Sequence, residues 1–156
     1  MSAMADFLEN KIIDFIFRAQ ALGVTGATAG AGTGPATLYV GLVTGAENDA
    51  AGGTEVSGGS YARVAVTSSL ANWAGTQSAG STTASTGTGG TTSNNNAVTF
   101  PAPTGNWGVC VGFGIWDATT TGNLLFYGAL SVNKTINNGD AAPSFAAGQL
   151  SIQIDN

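Results

Sequence analysis

The sequence predicts a mainly β fold: an antiparallel β-sandwich, Ig-like or jelly-roll-like, preceded by one N-terminal amphipathic α-helix. Three observations carry this. Several short runs after residue 36 alternate apolar and polar side chains. Clusters of Gly, Asn, Asp, Thr and Pro separate them, as turns require. Only residues 6–22 place their apolar side chains at helical spacing.

In that helix Leu8, Ile12, Phe15, Ile16, Ala19 and Leu22 share one stripe, and Lys11, Asp14 and Arg18 lie on another. Asp6 followed by Glu9 resembles a capping box, and Gly23 suits a left-handed stop. Asp14 and Arg18 are spaced for an i,i+4 surface ion pair. Ile13 and Phe17 fall outside the main stripe. Two readings stay open for them: a docking contact with a partner, or burial within the chain itself.

The domain plan that follows is a helix at 1–23, a Gly/Ala/Thr linker at 24–36, and a β-sandwich over 37–156. "TLYVGLVT" (37–44), "SYARVAVT" (60–67), "AVTFPAP" (97–103), "GVCVGFGIW" (108–116), "LLFYGAL" (124–130) and "QLSIQID" (149–155) read as strands. The loop "DATTTGN" makes 108–116 and 124–130 a hairpin. Asn138-Gly139 is a strong turn signal. Residues 74–96 hold no charge and no large apolar side chain, and are expected to form an exposed arm or long loop.

Composition narrows the function. Charged residues are 8% of the chain, against roughly 25% in an ordinary soluble domain. Four are basic and nine acidic, for a net charge of −5. Four scattered cations cannot neutralise a run of phosphates or hold an anionic membrane, so no nucleic-acid partner and no membrane insertion are expected. No signal peptide is legible in "MSAMADFLENKIIDFIFRAQ", which points to synthesis in a cytoplasm.

Catalytic chemistry has few residue types to work with. There is no histidine and one cysteine, Cys110, so neither a Ser-His-Asp site nor a zinc site can be assembled. Acidic residues after the helix (Glu47, Asp49, Glu55, Asp117, Asp140 and Asp155) sit in loops or at strand ends. No enzyme, no metal and no cofactor are expected. Trp73 and Trp107 flank loops, which makes them the candidates for stacking on a glycan; core packing is the commoner fate of such rings. Trp116 and Tyr127 are expected to face each other across the hairpin. The glycine face of "NWGVCVGFGIWD" (106–117) calls for something packed closely against it.

The stretches "LENKIIDFIFRAQ", "ATLYVGL", "EVSGGSYARVAVTSSLANWAGTQ", "VTFPAPTGNWG", "GFGIWDATTTGNLLFYGAL" and "KTINNGDAAPSFAAGQLSIQID" together resemble a family of small tailed-bacteriophage virion proteins usually labelled tail-fibre-like. The resemblance implies a structural protein of the virion surface, of tail-fibre or tail-tip type, made in the host cytoplasm and released by lysis. It brings no catalytic motif. The partners implied are other virion proteins, tail or major capsid protein, and further copies of the chain, a trimer being favoured. A head decoration (cement) protein is the alternative, and a receptor- or glycan-binding module the third reading.

Overall fold

The computed structural model describes residues 4–23, 34–45 and 53–154. Most of the 24–36 linker, and Glu47, Asp49 and Asp155, lie outside the described residues. The fold is mainly β with a single N-terminal helix, as the sequence predicts. In order, the elements are α1 (Asp6–Arg18), β1 (Thr37–Val43), β2 (Val64–Thr67), β3 (Thr91–Ser93), β4 (Val98–Thr99), β5 (Gly108–Trp116), β6 (Leu124–Ile136), β7 (Ser144–Phe145) and β8 (Ser151–Gln153). The chain divides into two compact units. Met1–Ala36, Thr67–Ala97 and Phe145–Asn156 form unit 1; Thr37–Val66 and Val98–Ser144 form unit 2.

Unit 2 carries most of a four-stranded sheet of order β2-β1-β5-β6. β1 runs antiparallel to β5, with Gly41 opposite Gly114 and Leu42 opposite Phe113. β5 and β6 form the expected antiparallel hairpin. Its loop is held by Asp117, whose carboxylate accepts the Asn123 amide N–H and side-chain NH₂, both at 2.7 Å. Those bonds, the side-chain one first, lower the Asp117 pKa. β6 continues past residue 130 to Ile136 because Val109 and Cys110 find partners in Thr135 and Lys134. A register shift between Cys110 and Gly112 absorbs the intervening residues, and Val132 there is 78% exposed. The Asn138-Gly139 turn forms as predicted, with Gly139 at φ 81° and the Asp140 carboxylate accepting the Asn137 N–H at 2.8 Å. The core of this unit is Leu38, Val40, Leu42, Phe100, Trp107, Cys110, Ile115 and Ile136 with their neighbours.

Unit 1 is built on α1 and the antiparallel pair β3–β8. The helix starts at Asp6 behind an Ala5 cap that makes no side-chain bond, so no capping box forms. It stops at Arg18, before Gly23, because Ala19 turns left-handed at φ 53° and Gln20 N–H returns to the Asp14 carbonyl at 2.9 Å.

The helix packs on the face that holds Ile13, Phe17, Asp14 and Arg18, and not on the expected Leu8–Ile12–Phe15–Ile16 stripe. Glu9, Asn10, Ile13, Asp14, Phe17 and Arg18 are buried; Leu8 is exposed, and Ile12, Phe15 and Ile16 are only half-buried. The cause is Trp73, completely enclosed, whose ring meets Phe17 edge-on at 4.9 Å. Residues 74–96 are not a free arm. Asn94 Nδ2 donates to the Ala146 and Asn96 carbonyls, and Asn94 Oδ1 accepts from Leu150 N–H. Thr92 donates its hydroxyl to the Ala74 carbonyl. Asn10 Nδ2 donates to the Gly87 carbonyl at 2.8 Å.

Candidate functional site

Two polar clusters are the candidates, one in each unit. In unit 1 the Arg18 guanidinium is fully enclosed. It donates to Asp14 Oδ1 at 2.7 Å, to the Trp73 carbonyl at 3.0 Å, to Ser85 Oγ at 3.0 Å, and to the carbonyls of Thr83 and Ser81. Asp14 in turn accepts the Ser85 amide and hydroxyl. The predicted surface ion pair is therefore a buried clamp. It closes the segment around residues 81–85 onto the helix, and such a charge pair is tolerable in an interior because its donors and acceptors are used.

In unit 2 the cluster grows from two glycines. Gly41 and Gly114 pair across β1 and β5 and leave a flat floor. The Trp116 indole folds back over it: a Cβ on Gly114 would run into its Cη2, Cζ3 and Cζ2 atoms, and one on Gly41 would meet Cζ3 at 2.8 Å. Arg63 covers the indole, its guanidinium carbon 4.0 Å from a ring centroid. Glu55 holds Arg63 bidentately, Nε to Oε1 at 2.8 Å and Nη2 to Oε2 at 2.7 Å. Arg63 Nη1 reaches the Ala118 and Thr121 carbonyls. Tyr61 donates to Glu55 Oε1 at 2.9 Å and accepts the Leu42 N–H at 2.9 Å. So Gly114, on the glycine face of β5, is covered by the strand's own last residue. The register places Trp116 opposite Leu124 and Tyr127 opposite Gly114, which corrects the expected Trp116–Tyr127 pair.

An open cleft of about 480 Å³ lies beside this cluster, lined by Glu55, Ser57, Tyr61, Arg63 and Thr119–Thr121 among others. Glu55 and Arg63 on its floor are paired with one another. Burial first, then the Glu55 carboxylate, raises the Tyr61 pKa far above its usual value, against the opposing Leu42 N–H bond. The unfolded phenol ionises near pH 10, while the folded one keeps its proton. The stability this proton supplies is fully present below about pH 10 and is lost as the pH rises beyond it. Urea midpoints across that window are expected to fall more steeply for the wild type than for Tyr61→Phe.

The residues singled out in sequence lie elsewhere. Trp73 is 0% and Trp107 5% exposed, so neither ring face is open to a sugar. Trp107 donates its Nε1–H to the Gly59 carbonyl at 2.9 Å and packs edge-on against Tyr61 at 5.3 Å and Phe100 at 6.5 Å. Trp73→Ala or Trp107→Ala is expected to cost about 3–5 kcal/mol of stability, the usual cost of emptying an aromatic site; thermal unfolding measures it. Ile13 and Phe17 are likewise 0% exposed. Of the two readings left open for them, the chain alone already gives burial: both side chains are enclosed by its own residues. Cys110 is enclosed, and burial raises its thiol pKa. Among the described residues no three His, Cys, Asp or Glu side chains gather as a metal site. The Glu55–Tyr61–Arg63 cluster escaped sequence reading, although "SYARVAVT" held two of its members on one strand face.

A protein-family profile described as "Podophage GP4 fiber I protein gp80" matches residues 3–153. No curated protein matches the chain. The profile covers nearly the full length and agrees with the tailed-phage resemblance carried by the motifs from "LENKIIDFIFRAQ" to "QLSIQID". The chain belongs to the podophage GP4 fiber I protein gp80 family, and is a phage structural protein of fibre type, associated with the exterior of the virion.

Proposed function

We propose that the protein is a non-enzymatic structural subunit of a tailed-phage fibre, of tail-fibre or tail-tip type, assembling with other virion proteins and with copies of itself. The family match over residues 3–153 carries this reading. The use of its ionisable groups supports it. Asp14 with Arg18, Glu55 with Arg63, and Asp117 with Asn123 each spend their hydrogen bonds on holding the chain's own loops. A subunit that must keep its shape outside the cell gains from such clamps, whereas a catalytic group needs an open coordination or proton-transfer position. A closed symmetric assembly, a trimer in the simplest fibre, is the expected form.

Gold-labelled antibody on intact particles, with copy number from quantified virion protein, tests the location. Label confined to the tail and a small number of copies are expected. Hundreds of copies spread over the head would overturn the fibre reading in favour of a decoration protein bound to the major capsid protein.

A further inference from the structure

The turn after β6 carries the only Asn-Gly pair in the sequence, Asn138-Gly139. Such a pair can modify itself. The Gly139 peptide nitrogen loses its proton and attacks the carbonyl carbon of the Asn138 side chain. The new C–N bond closes a succinimide ring, and the side-chain nitrogen leaves as ammonia. Water then opens the imide at either carbonyl, giving aspartate or isoaspartate. Nothing but water and a base is consumed, and glycine shields the attacking nitrogen less than any other residue.

The whole turn, residues 137–140, is exposed, so water and hydroxide reach it freely. What the fold withholds is the nucleophile. Gly139 N–H donates to the Pro103 carbonyl at 2.9 Å, and Pro103 is buried. A hydrogen bond made by the protonated nitrogen disfavours the loss of that proton. The turn is of type II, with Gly139 at φ 81° and the Asp140 N–H closing back on the Asn137 carbonyl at 3.2 Å. Bringing the Gly139 nitrogen onto the side-chain carbon requires rotation about the Asn138 Cα–C bond, which breaks that closure. Further bonds resist the rotation: Asn138 N–H donates to Asn106 Oδ1 at 2.9 Å, and Asn137 N–H to the Asp140 carboxylate at 2.8 Å. Every peptide N–H of the turn is thus in use, and those of Asn138 and Gly139 are spent on the 103–106 loop that leads into β5.

We propose that Asn138 is a deamidation site gated by this docking: inert while the turn is seated on Pro103 and Asn106, and converted when it lifts away. Either product alters the turn. Both put a second carboxylate beside Asp140, and isoaspartate also routes the main chain through the former Asn138 side chain, which lengthens it. A turn that has reacted while open no longer fits its seat, so a reversible opening becomes permanent. On the exterior of a virion no new synthesis replaces an assembled subunit, and such a change accumulates. The proposal goes beyond the structural role and does not rest on it.

Peptide mass spectrometry tests it on the full chain, incubated in mildly alkaline buffer and read on the tryptic peptide that begins at Thr135, after Lys134. Conversion of Asn138 in the folded protein is expected to run at least about tenfold slower than in urea, because the reaction waits on local opening. Asn106→Ala removes the acceptor of the Asn138 N–H at an exposed position. It is expected to speed conversion in the folded protein severalfold. Asn106→Asp keeps an acceptor oxygen there and is expected to stay as slow as the wild type. Folded wild type converting as fast as the unfolded chain, Asn106→Ala converting no faster than wild type, or equal acceleration in both variants would each overturn the proposal.

Discussion

Replacing Arg18 with methionine is expected to destabilise unit 1 by about 3–5 kcal/mol, the range for removing one partner of a buried ion pair. The side-chain exposures of Arg18 and Asp14 are 0% and 4%, so solvent does little to screen the loss. Methionine fills much of the volume but donates nothing. The Asp14 carboxyl is left with only the Ser85 amide and hydroxyl as partners, and the Trp73, Ser81 and Thr83 carbonyls lose their common donor. The urea midpoint is expected to fall. Amide exchange at Ser85 is expected to quicken before the core of the unit opens, because its acceptor is the orphaned carboxylate. Removing both charges, as Asp14→Leu with Arg18→Met, is expected to recover a large part of the loss. A single variant as stable as the wild type would mean that the clamp does not hold this segment.

Gly114→Ala is the corresponding test of unit 2. The added methyl would lie 2.6 Å from Trp116 Cζ3, closer than carbon atoms approach, so the indole must leave its floor. Overpacking alone costs about 1–3 kcal/mol. Here it also separates the indole from Arg63 and exposes a ring that is now 7% accessible. We expect a lowered thermal midpoint together with a changed tryptophan fluorescence spectrum. Trp116→Leu in the same chain should make the Gly114→Ala step much cheaper, a non-additivity that only direct contact produces. An equal cost in both backgrounds would place the indole elsewhere.

What could be read in the sequence was local. β1, β5, the β5–β6 hairpin and the Asn138-Gly139 turn each announce themselves within about ten residues, through alternation or turn chemistry. β3 and β7 do not, because two or three residues cannot display a period. The helix was found but its orientation was inverted, for a reason that lies outside it. Asp14 and Arg18 look like an ordinary surface pair until the partners at Trp73, Ser81, Thr83 and Ser85 are known, and nothing near residue 14 announces them. The uncharged 74–96 segment was the one available hint: a run rich in hydroxyls and carbonyls is what a buried guanidinium can use. Trp73 and Trp107 were read as loop aromatics because polar sequence flanks them, yet those loops lie over core. Of the β5 glycines, Gly114 has the close cover that the sequence calls for, while Gly108 has open space beside it. The cover of Gly114 is Trp116, two residues along the same strand, which alternation alone does not reveal as folding back.

The Arg18 clamp grips residues 81–85 chiefly by main-chain oxygen, the carbonyls of Ser81 and Thr83, and by a single side chain there, Ser85. A carbonyl is the same atom whatever amino acid carries it. The hydroxyls of Ser81 and Thr83 accept from Gln77 Nε2, while the side chains of Thr82 and Ala84 take no part in the clamp. Thr82 and Ala84, both exposed, can therefore change without altering the oxygens that the clamp holds.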